Sequence, residues 1–146
     1  MKTVVISMLV LLSLCVMGEN KWRFTAKEKK VIEKAVSEIP DSTRKTFDKR
    51  YKAWKDAYMN NHEIRLSSRT ESSKEVPEYK ELVKMGDRII PLLIQKMSED
   101  IDLNFFDLVP YHDLQTNEKL KVRGMMSEQD RAYQTVLLWV KSISFP

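Results

Sequence analysis

The chain has 146 residues, with 25 Lys and Arg against 21 Asp and Glu, a formal charge of +4, a single Cys and three Gly. That length is one ordinary domain. The composition excludes a disulfide-stapled scaffold and a Cys-rich zinc site, and neither GxGxxG nor GxxxxGK[ST] is present to cradle a phosphate.

Met1-Lys2-Thr3 is a short basic start, and Val4 to Val16 is almost wholly apolar. Val16-Met17-Gly18 sets small or aliphatic residues at the −3 and −1 positions of a cut before Glu19. This is the pattern of a secretory signal peptide over residues 1–18. The run is shorter than the roughly 20 residues a spanning helix needs. Cleavage after Gly18 is the expectation, with lipid attachment at Cys15 or retention as an uncut anchor as the other fates. Leu14 is bulky where a lipoprotein signal carries a small residue. Cleavage leaves a thiol-free domain over residues 19–146, exported to a periplasm or cell surface. Lipidation would anchor it to an outer membrane.

The domain reads as all-α, a bundle of five to six helices. Thr25 and Glu28 form a capping box for a helix over about 26–38, which Pro40 ends. Asp41 or Ser42 is the expected cap of a second helix over about 43–62. Phe47, Tyr51, Trp54 and Tyr58 make one stripe along it. Residues 67–75 contain no apolar side chain and read as a polar loop or hinge. Pro77 opens a third helix, which ends at Gly86. Asp87 is the expected cap of a fourth, apolar nearly all round from Ile89 to Met97, with Pro91 in its first turn. Leu103 to Val109 suggests a short fifth helix stopped by Pro110. Residues 113–126 are ambiguous, with Met125-Met126 as a flap over the core. Ser127 starts a last helix over about 128–143.

Residues 78–98 resemble the inner turn of a HEAT or armadillo-type repeat, carried by Leu82, Met85-Gly86-Asp87 and Ile90-Pro91-Leu92-Leu93. The whole also resembles short exported helical proteins of Bacteroidetes-type bacteria to which no role is assigned. The resemblance implies a HEAT-like helix pair in the C-terminal half and binding to other macromolecules. It brings no catalytic residues.

Motifs for chemistry are incomplete. His62-Glu63 begins HExxH, but the fifth position is Leu66. Asp100, Asp102 and Asn104 open like a calcium loop, but Phe105 and Tyr111 replace its Gly and Glu. Tyr111-His112-Asp113 could orient an imidazole, yet no GxSxG supplies a nucleophile. No cofactor, metal ligand set or catalytic residue is expected. The surviving enzymatic alternative is a small exported hydrolase using a carboxylate pair, Glu78 with Glu81 or Glu99 with Asp102.

Charge gives the leading expectation. Residues 19–75 hold 15 basic and 10 acidic side chains, and residues 76–146 hold 9 and 11. The basic excess centres on the second helix, at Arg44, Lys45, Lys49, Lys52 and Lys55. Its aromatics share one face and most cations lie off it, so a core stripe with a solvated back is expected rather than a nucleic-acid surface. The resulting reading is a non-enzymatic exported interaction module. Its basic face contacts a protein or an anionic envelope component, and a membrane only if the N-terminus is retained or lipidated. Trp22 and the 113–126 segment are second candidates for contact.

Overall fold

The computed structural model describes residues 21–145. The leader expected over 1–18 and the lipidation candidate Cys15 lie outside them. The described residues contain eight α-helices joined by loops and short 3-10 turns, with no strand, so the all-α expectation holds. Six of the helices have seven residues or more: α1 (Ala26–Ser37), α2 (Asp41–Asn60), α4 (Pro77–Val83), α5 (Ile90–Glu99), α7 (Leu108–Leu114) and α8 (Glu128–Ser144). Two are single turns, α3 (His62–Leu66) and α6 (Ile101–Asn104). None is long and apolar enough to cross a membrane.

The apolar residues of α5 place it at the centre. Leu93, Ile94 and Met97 are fully buried, and α1 and α8 pack against it and against each other. The second helix pairs with α4. Its aromatic stripe is core throughout, with Phe47 and Trp54 fully buried and Tyr51 and Tyr58 nearly so. Trp54 meets Tyr58 and Tyr79 ring to ring, and Tyr58 stacks on Phe106 at 5.1 Å between centroids. These pairs lock α2 to α4 and to the segment after α6.

The helix ends follow the sequence in part. The capping box at α1 is present, with Glu28 N donating to Thr25 Oγ1 at 3.2 Å and Thr25 N to Glu28 Oε2 at 2.7 Å. Ser127 caps α8 through Asp130 N. Neither Asp41 nor Ser42 caps α2, because the helix already starts at Asp41, with Pro40 as the residue before it. Asp87 does not cap α5 either. It opens a 3-10 turn, Asp87–Ile89, that leads straight into the helix, with Pro91 in the first turn as expected. Gly86 before that turn has φ 79°, a backbone state that favours glycine.

Three segments depart from expectation. The expected polar loop at 67–75 carries a 3-10 helix, Thr70–Lys74, with Ser72 and Ser73 buried. Trp54 Nε1 donates to the Ser73 carbonyl at 2.8 Å, so a core side chain holds this strap in place. The expected fifth helix is broken into α6, a 3-10 turn (Phe105–Asp107) and α7. Pro110 does not stop it but lies buried in the first turn of α7, where its missing N–H removes no bond. The Met125-Met126 pair is no flap over the core, since Met125 is fully exposed.

Candidate functional site

The five cations expected on the second helix do not form one free surface. Asp41 takes both Arg44 and Lys45, at 3.2 and 3.1 Å. Lys52 pairs with Asp56 one turn on. Lys49 is exposed and makes no ion pair among the described residues. Lys55 turns inward, its side chain only 18% exposed. Its Nζ lies 2.5 Å from Asn104 Oδ1, 3.0 Å from the Leu103 carbonyl and 3.8 Å from Asp107 Oδ1. With Asp48 also exposed, the outer face of α2 mixes both signs.

Lys55 belongs instead to a buried polar cluster. Asp107 has no exposed surface, and Tyr51 Oη donates to its Oδ2 at 2.7 Å. Its Oδ1 has no hydrogen-bond partner. Burial raises the Asp107 carboxyl to about 7, although Lys55, the Tyr51 hydroxyl and Lys96 all favour its ionised form. Burial beside Asp107 pushes the Tyr51 hydroxyl far up, and burial pushes the Lys55 ammonium down. The cluster joins α2 to the turn after α6 from inside the core. The hydrogen bond from Tyr51 to Asp107 ties the turn after α6 to α2.

The other acid and base candidates are dispersed. Asp113 accepts from Tyr79 Oη at 2.6 Å and from Lys74 at 3.0 Å. It is therefore tied to α4 and to the strap. His112 is half-buried with an unpartnered Nε2, and burial with Lys121 and Arg131 nearby lowers its pKa. Glu81 is held by Lys84 at 2.5 Å, and Glu99 and Asp102 are exposed. Asp100 caps α6, accepting from Leu103 N at 3.0 Å, and the calcium-loop resemblance ends there. No group of three or more His, Cys, Asp or Glu among the described residues is arranged to hold a metal ion. Trp22 donates from Nε1 to Asp130 at 3.0 Å, which leaves its indole docked on the start of α8.

A concave surface lies between α1 and α8. It is a groove of about 350 Å³, mostly apolar, floored by Val31, Leu137, Val140 and Phe145. It continues into a more polar hollow of about 450 Å³ that reaches Lys34, Ala35, Glu38 and Ile143. The two share Lys27, Val31, Ser144 and Phe145. Phe145 is 72% exposed and Ile143 42%. Lys27, Lys34 and Lys141 line these walls, all exposed and without an ion pair among the described residues. Lys27 Nζ stands 6.0 Å from the Phe145 ring. Glu28, on the same rim, is engaged by the α1 cap.

Sequence reasoning named neither the Asp107 cluster nor the groove. The first left a signal, a lone acid in the apolar run from Phe105 to Val109. For the second, the spacing of Lys27, Val31 and Lys34 places them on one side of α1, but nothing local says that the end of α8 lies alongside. Set against protein-family models, curated proteins and solved structures, the chain matches none of them.

Proposed function

We propose that the protein is a non-enzymatic, exported binding module of a bacterial cell envelope, and that its contact surface is the groove between α1 and α8. The observation that carries this reading is the combination of an apolar floor with three unpaired lysines. Contiguous exposed apolar surface rimmed by polar residues marks an interaction site, and Val31, Ile143 and Phe145 line one hollow here. The lysines select for negative charge, which fits an anionic envelope component. The face of α2 is the weaker candidate because Arg44, Lys45 and Lys52 are held in pairs with Asp41 and Asp56 and Lys55 turns inward. Export rests on the leader-like residues 1–18.

The test compares charge reversals on the two faces. Lys27→Glu, Lys34→Glu and Lys141→Glu together should abolish retention of the protein on isolated envelopes. Lys45→Glu, Lys49→Glu and Lys52→Glu together should leave it nearly unchanged. Wild-type retention should fall as salt is raised from roughly 0.05 to 0.5 M, since exposed charges are screened over this range. The reverse pattern would return the contact surface to α2.

A further inference from the structure

We propose that the α1–α8 groove holds a single-chain amphiphile with an anionic head, its chain along Val31, Leu137 and Val140 and its head between Lys27 and Lys34. This rests on the assignment of the groove as the contact surface and narrows it to one class of ligand.

Three observations point to this occupant. First, polarity changes along the groove rather than across it: one half is mostly apolar, and the other mixes polar and apolar surface. An amphiphile lying lengthwise has that pattern. An amphipathic helix does not, because its polar face runs its whole length beside the apolar one. Second, the α1-cap groups and the Ser144 hydroxyl at the apolar half are already engaged, and its two lysines, Lys27 and Lys141, are exposed and can extend to solvent past a bound chain. Thr25 and Glu28 satisfy one another's backbone N–H groups, and Ser144 Oγ donates to the Val140 carbonyl at 2.8 Å. A hydrocarbon chain there strands none of these groups. Third, three lysines, Lys27, Lys34 and Lys141, outnumber the two carboxylates that line the groove, Glu28 and Glu38, so positive charge is in excess around it, and Lys27 and Lys34 both line the more polar hollow. Each half exceeds the roughly 300 Å³ at which small-ligand sites begin and stays open along one side, suiting a slender guest.

Calorimetry on the full protein, below the critical micelle concentration, tests the proposal with defined probes. Dodecyl phosphate should bind one per chain. Dodecyl maltoside, with the same chain and a neutral head, should bind about tenfold more weakly or worse. Inorganic phosphate, the head without the chain, should not bind. Lys27→Glu with Lys34→Glu should weaken dodecyl phosphate by about tenfold or more while the melting temperature is kept, because both side chains are exposed. Phe145→Ser, also at an exposed position, should weaken both chain-bearing probes alike. Equal affinity for the two heads, many ligands per chain, or indifference to the lysine reversals would overturn the proposal. So would preference for an acidic amphipathic peptide over dodecyl phosphate. If the reversals abolish envelope retention yet dodecyl phosphate fails to bind, the ligand class is wrong and the contact surface stands. If both fail, the contact surface is wrong as well.

Discussion

Asp107 and Tyr51 share a hydrogen bond of 2.7 Å inside the core, with Lys55 3.8 Å from the second carboxylate oxygen. This arrangement makes stability depend on pH. An aspartate in an unfolded chain titrates near about 3.9, whereas Asp107 in the fold titrates at about 7. Between those values the folded chain keeps a proton that the unfolded chain has released. The stability Asp107 contributes is therefore full below about pH 4 and is lost as pH rises through 7. The loss is on the order of 4 kcal/mol. Asp107→Asn keeps an acceptor for Tyr51 and cannot ionise. Denaturant unfolding of both proteins between about pH 5 and about pH 8 isolates the effect. The wild type should lose stability across this range relative to the variant, and parallel profiles would contradict the assignment. The residue was visible in the sequence only as an acid among apolar neighbours. Its partners are 52 to 56 positions away by chain and are brought together by tertiary packing alone.

The long helices were legible because their apolar spacing agrees with the way they pack. The stripe from Phe47 to Tyr58 was read as core and is buried, and the capping box at Thr25 is formed. The segments misread were those whose order comes from a distant side chain. Residues 67–75 look like a polar linker, yet Ser73 is fully buried because Trp54 reaches its carbonyl. Pro110 looks like a stop but occupies a first turn, because the 3-10 turn at Phe105–Asp107 ends one helix just before it and the next begins. Trp54 is thus both the centre of the α2 stripe and the clasp of the strap. Trp54→Ala should destabilise the protein by about 3–5 kcal/mol. Limited proteolysis should then cut first within 67–75. An unchanged melting temperature would contradict the core assignment.

Across the whole molecule, charge counted along the chain misleads about charge in space. The N-terminal stretch is basic and the C-terminal stretch slightly acidic. On folding, Asp41 and Asp56 pair with three of the cations of α2 and Lys55 turns inward, while Lys27 and Lys34 of α1 line one groove with Lys141 from the far end of the chain. This grouping of unpaired lysines is one that no local window of sequence describes. It is also where Phe145 and Ile143 stay exposed. The central claim is that this groove makes the contact in the envelope. Site-specific photo-crosslinking in the cells that make the protein tests it most directly, with the reactive group placed at Val31 in one protein and at Lys49 in another. Position 31 should give one dominant, salt-sensitive adduct and position 49 none above background. Adducts from position 49 with position 31 silent would contradict it.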